Sequence, residues 1–262
     1  MSAHGSLDGA CAVVTGGSRG IGRAIAERLA QEGASVVVGG RDMNGLEQTV
    51  KAIEATGRVA RALVLDVTDD DSVATFATSA TEALGGAPTV LVNNAGVYKA
   101  GRFNDIAISE WQRVMDVNLF GAVRVAQALL PAMIESGAGN IVNVASTAGK
   151  WASLYQSPYN ASKHALIGLT RCLALETAKS GVTVAAVCPG FVDTGMLFEN
   201  PELAECYGTD RAGLEEMAVS RVPIGRLTTP QEVAELVVYL SGPMAHAATG
   251  QSFSLPGGLI FI

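Results

Sequence analysis

The chain has 262 residues, 48% of them hydrophobic and only 16% charged. That composition excludes extended disorder and is enough to bury a core without covalent staples. A net charge of −7 argues against a nucleic-acid partner, which would require a basic face.

In chain order, short β-branched runs alternate with longer helical patterns. ACAVVT (10–15) is expected to form the first strand, followed by a glycine-rich turn and a helix over 20–32. SVVV (35–38) and a helix over 43–56 follow, then VARALVLD (59–66) and a helix over 70–84 begun by a cluster of aspartates. TVLVNN (89–94) precedes one long helix over 109–136, and NIVNVAS (140–146) precedes a helix over 158–180. VTVAAVC (182–188) is the sixth strand, and a helix over 230–241 lies near the end. The runs are almost continuously apolar, as strands of a parallel sheet buried on both faces should be. Strand–helix alternation without a linker predicts an α/β fold, a single-domain doubly wound (Rossmann-type) parallel sheet with helices on both faces, spanning 1–262. Residues 191–226 break the rhythm, being far longer than an ordinary strand-to-helix connection. They are expected to act as a lid after the sixth strand, over an apolar substrate or against a neighbouring subunit.

Cys11, Cys172, Cys188 and Cys206 show no C-x-x-C and no ligand-like spacing to His4, His164 or His246, so no metal is expected. Scattered thiols suit a reducing compartment, and the expected location is cytoplasmic. The start MSAHGSLDGA has no signal-peptide pattern, and no uncharged apolar run reads as long enough to span a bilayer.

The stretch VVTGGSRGIGRAIAERLA carries Gly16, Gly20 and Gly22 between a strand and a helix. Such spacing permits a tight turn, a close backbone approach to a pyrophosphate, and a helix start whose free N–H groups face the anion. Ser18, Arg19 and Ile21 belong to this turn. The second strand runs into VVVGGRD, so Gly40 stands where an acidic residue would read the adenosine ribose. With Arg41 next and Arg19 nearby, the pocket suits a 2′-phosphate. NADP(H) is therefore favoured and NAD(H) possible, with Asp42 the residue that a one-position shift would bring in. Asp66 is placed to accept from the adenine amino group, with Val67 beside it. Asn93, Ala95 and Gly96 in NNAG form a small-residue turn near the adenine ribose.

Taken with T-G-x-x-x-G-I-G at 15–22 and NNAG at 93–96, Asn118 in DVNLFG, Ser146, Tyr159-x-x-x-Lys163 and the PG pair at 189–190 resemble the short-chain dehydrogenase/reductase family. The resemblance runs from about residue 8 to the C-terminus. It implies a catalytic set of Asn118, Ser146, Tyr159 and Lys163, with Tyr159 and Lys163 also near the cofactor. Lys163 would hold the nicotinamide ribose, and Asn118 a water linking Lys163 to solvent. Pro189 and Gly190 would turn the chain beneath the nicotinamide, and Val192 and Thr194 would contact its carboxamide. A cation one helical turn from Tyr159 is expected to lower the phenol pKa; two units would need about 2.7 kcal/mol. Ser146 would stabilise charge on the substrate oxygen.

NVASTAGK (143–150), VCPGFVDTGM (187–196) and RVPIGRLTTPQEVAELVVYL (221–240) look like β-ketoacyl carrier-protein reductases and aromatic polyketide ketoreductases. VYKAG at 97–101 departs from the polyketide enzymes, which carry a proline and glycines there. The resemblance implies an NADPH-dependent carbonyl reductase acting on a β-ketoacyl thioester, free or bound to CoA or a carrier protein, or on a similar apolar ketone. It also implies a homo-oligomer, expected to be a tetramer. Lys99, Arg102 and Arg211 are candidates for a phosphopantetheine or CoA phosphate. The alternatives are an NAD(P)-dependent secondary-alcohol or 3-hydroxyacyl dehydrogenase and a non-catalytic dinucleotide sensor. Retaining all four catalytic residue types disfavours the sensor.

Overall fold

A computed structural model describes residues 7–259. Its strands are β1 (Cys11–Thr15), β2 (Ser35–Gly40), β3 (Ala60–Val64), β4 (Val90–Asn93), β5 (Gly139–Val144), β6 (Val182–Pro189) and β7 (Ser252–Leu255). All six neighbour pairings are parallel, and the order across the sheet is β3-β2-β1-β4-β5-β6-β7. Helices α1 (Gly20–Gln31), α2 (Met43–Glu54), α3 (Asp70–Leu84), α4 (Ile108–Met115), α5 (Gly121–Ser136), α6 (Ser157–Thr177) and α10 (Pro230–Ser241) connect the strands.

Burial on both faces explains the apolar strands. Ala12, Val14, Val36, Val38, Val90 and Val92 share one core layer with Ile25 and Leu29 of α1 and Val233 and Val237 of α10. The intervening Val13, Val37 and Leu91 enter the opposite layer with Phe76, Leu129 and Met133. Alternate residues point to opposite faces of a strand, so each strand serves two cores. Strand order reverses between β1 and β4, which opens a crevice at the carboxyl ends of those strands.

Two regions differ from the sequence expectation. The single long helix over 109–136 is interrupted by a π turn, Asp116–Phe120, between α4 and α5. The segment expected to act as a lid is not an irregular loop: residues 191–226 contain α7 (Gly195–Phe198), α8 (Pro201–Tyr207) and α9 (Arg211–Arg221). Asn200 caps α8 by accepting from Leu203 N at 2.8 Å, and Asp210 caps α9 by accepting from Gly213 N at 2.9 Å. Local capping builds these short helices, and an apolar cluster of Phe198, Leu203, Leu214, Ala218 and Leu227 fastens them together.

Smaller corrections follow from pairing and capping. Gly39 and Gly40 extend β2 because they pair with Leu63 and Val64. Helix α6 starts at Ser157, one residue before the expected 158, and the flanking Gln156 makes no side-chain capping bond. The helical stretch Ile108–Ser136, although it carries charges such as Arg124, is long and apolar enough to cross a membrane. Here it packs into the fold, with Val114, Val125, Leu129 and Met133 fully buried. Residues 260–262 lie outside the described residues.

Candidate active site

The crevice at the strand reversal is a cleft of about 680 Å³ lined by the glycine turn, Gly40, Arg41, Asp66, Val67, Ala95 and Gly96. Gly16 and Gly20 adopt φ values of 67° and 55°, in the left-handed region that glycine tolerates. A Cβ on Gly22 would collide with the Gly16 carbonyl and the Asn94 carboxamide. Arg19 flanks α1 without a side-chain cap, and the first turn holds no acidic residue. The unpaired N–H groups of that turn are thus left to an anion.

At the adenosine end, Gly40 closes β2 and Asp42 is engaged as the α2 cap, accepting from Gly45 N at 3.1 Å. Arg41 is exposed and stands 4.0 Å from Asp66. Hydrogen bonds from Thr68 N and its hydroxyl, ahead of the Arg41 charge, hold the Asp66 carboxyl below its ordinary value. Asn93 does not line the cleft. Its carboxamide is buried between β4 and β5, donating to Asn143 Oδ1 at 2.9 Å. Its neighbour Asn94 lines the cleft instead and donates to the Thr15 and Gly16 carbonyls. Strand pleat explains the exchange, because adjacent side chains leave the sheet on opposite faces.

The four expected catalytic residues come together at the C-terminal ends of β4 and β5. Ser146 follows β5 and hydrogen-bonds the Tyr159 phenol; its hydroxyl also accepts from Ala148 N at 3.1 Å. Lys163, one turn along α6 from Tyr159, is buried and donates to Val144 O at 2.8 Å. Its Nζ lies 5.7 Å from the Tyr159 ring centroid. Asn118 sits in the π turn, accepts from Val97 N at 2.7 Å, and donates to Val97 O and Ser162 Oγ. Its side chain thus ties the loop after β4 to α6. Gly96 closes the group: a Cβ there would lie 3.8 Å from Lys163 Nζ.

Tyr159 also borders a second cavity, of about 400 Å³, between the sheet edge and the lid. Pro189, Gly190 and Val192 line this cavity, and Ile21, Thr194 and Met196 line both it and the cleft. The chamber bordered by Tyr159 therefore adjoins the cleft along Ile21, Thr194 and Met196. The surrounding backbone is fixed by Gly190 N to Leu255 O (3.0 Å), Asp193 N to Thr228 O (2.9 Å) and Thr194 N to Val192 O (2.8 Å).

A family model described as short chain dehydrogenase matches residues 10–203. The chain belongs to the short-chain dehydrogenase family. A protein of Streptomyces coelicolor named as a ketoacyl reductase is 41% identical over 96% of this chain and 97% of its own. The 3-oxoacyl-acyl-carrier-protein reductase of Thermotoga maritima is 36% identical over 97% of this chain and 99% of its own. The crystal structure of an actinorhodin polyketide ketoreductase variant with NADPH superposes with a TM-score of 0.92 at 39% identity, covering 98% of both chains.

In this short-chain dehydrogenase the phenol is not acidified as its spacing from Lys163 suggested. Burial pushes Tyr159 up to about 12, against the opposing hydrogen bond from Ser146. Burial likewise brings Lys163 down to about 8. Two of the candidate phosphate-binding cations are already committed: Lys99 pairs with Glu202 of α8, and Arg211 with Glu199 at 3.1 Å. Tyr98 lies outside every motif, and Asn94 and Ser162 sit within NNAG and the Tyr159-x-x-x-Lys163 stretch at positions that the motif reading did not single out.

Proposed function

We propose that the protein is an NADPH-dependent carbonyl reductase whose substrate is a β-ketoacyl thioester or a similar apolar ketone. The observation that carries this is the apolar chamber bordered by Ser146 and Tyr159, which shares Ile21, Thr194 and Met196 with the cofactor cleft. The residues fit a dinucleotide: the α1 N-terminus for pyrophosphate, Arg19 and Arg41 beside the uncharged Gly40 for a 2′-phosphate, and Asp66 for adenine. NADPH, when bound, supplies the hydride. Ser146 and Tyr159 orient the carbonyl oxygen, and Tyr159 gives its proton to the oxygen as negative charge develops there. A phenol with pKa about 12 holds that proton throughout the neutral range and still transfers it downhill to an alkoxide. Lys163, charged below about pH 8, offsets the phenolate left behind. Asn118 holds the loop and α6 in register, and a water at this position would connect Lys163 to solvent.

The same reading makes the chain a homotetramer in the cytoplasm. Large exposed apolar side chains, among them Phe103, Ile108 and Phe120 near the long helix and Leu175 on α6, support burial against further copies. Four free thiols suit a reducing compartment.

Tyr159→Phe tests the reaction. With a β-keto ester and NADPH, kcat should fall about 100- to 10,000-fold, the usual worth of a general acid. A rate near that of the unsubstituted protein would remove Tyr159 from the mechanism.

A further inference from the structure

Tyr98 occupies the loop after β4 where the sequence departs from the polyketide enzymes. Its ring meets the Tyr159 ring edge-on, centroids 5.1 Å apart, and forms part of the cavity wall. Tyr98 packs in the lid cluster with Phe198 and Leu203. Its hydroxyl is sealed from water and has no hydrogen-bond partner among the described residues. A buried, unpaired hydroxyl costs stability, and a phenylalanine would fill the same wall without that cost. The packing alone thus gives no reason for the oxygen.

We propose that Tyr98 is a specificity-determining residue whose hydroxyl hydrogen-bonds a second oxygen of the substrate, close to the carbonyl that Tyr159 protonates. The inference rests on the ketone-reduction reading and narrows it to ketones with a neighbouring carbonyl or hydroxyl. Two further features agree. Burial pushes the Tyr98 phenol well above its ordinary range. It therefore stays neutral and can both donate and accept. The adjacent Lys99 is ion-paired to Glu202 on α8, so the loop bearing Tyr98 and the lid over it are fastened together. A substrate oxygen seated in the cavity whose wall Tyr98 helps form would supply the missing partner.

Tyr98→Phe keeps the ring and deletes only the oxygen. The test compares kcat/KM for ethyl 3-oxooctanoate and for 6-undecanone, which matches its chain length but lacks the ester oxygens. Each variant-to-wild-type ratio is taken separately, which cancels the intrinsic reactivity of the two ketones. The expected result is a drop of about tenfold or more for the keto ester and less than twofold for the monoketone, with a higher Tm. Tenfold corresponds to about 1.4 kcal/mol, the scale of one hydrogen bond. Equal ratios for the two ketones would overturn the role of Tyr98 while leaving ketone reduction standing. Failure of the wild-type protein to reduce either ketone would overturn the function and the inference together.

Discussion

A phenol held near pKa 12 cannot limit proton donation at neutral pH, so the titration that matters at residue scale belongs to Lys163. Burial has moved its ammonium down to about 8. Below that pH it is charged and offsets the phenolate formed as Tyr159 gives up its proton; above it the charge is gone. The rate of ketone reduction, as kcat/KM, should therefore be flat from pH 6 to about 7.5 and fall through pH 8. Lys163→Arg, which stays protonated at any working pH, should move the falling limb upward even if the rate drops. An unmoved limb would assign the titration to another group. Tyr159, Lys163 and Ser146 were legible as residue types in sequence. The direction of the Tyr159 shift was not, because spacing reveals a nearby cation but says nothing about how much water surrounds the phenol.

Among the elements, the π turn Asp116–Phe120 has the most direct bearing on the site. An extra residue in the turn changes the angular progression of the helix, and Asn118 is buried there against Val97 and Ser162. Asn118→Ala would strip partners from both Val97 backbone groups and from the Ser162 hydroxyl. Urea unfolding should register a loss of about 1–3 kcal/mol, the cost of buried polar groups left unpaired. A loss below 0.5 kcal/mol, the usual bound for an uninvolved surface change, would show that the loop is held elsewhere. The apolar periodicity of residues 109–136 runs through this turn without marking it, so the sequence read as one uninterrupted helix. The lid was missed as helix for a related reason. Its pieces are too short for periodicity to stand out, although Asn200-Pro201 and Asp210 carried capping signals that could have located α8 and α9.

For the whole molecule, low charge and exposed apolar side chains raise the question of assembly. Ile108 and Phe103 are 71% and 68% exposed, an arrangement that is unfavourable in water when apolar side chains cluster. Light scattering on the purified protein should give a mass about four times the 26.9 kDa of one chain. Ile108→Glu combined with Phe120→Glu should lower it. A monomeric mass for the unsubstituted protein would remove the assembly from the functional reading.

The sequence by itself determined the alternation of strands and helices, the glycine turn and the identities of the catalytic side chains. Those depend on local chemistry: hydrophobic period, backbone permissiveness, and groups able to bind or donate. Only the tertiary structure decided that Asn94 rather than Asn93 faces the cleft, since pleat and register fix which side chain points where. Only it showed that burial outweighs the Ser146 hydrogen bond at Tyr159, and that the Tyr98 hydroxyl has no partner among the described residues. Each of those outcomes depends on neighbours distant in the chain, and on the water that their packing excludes.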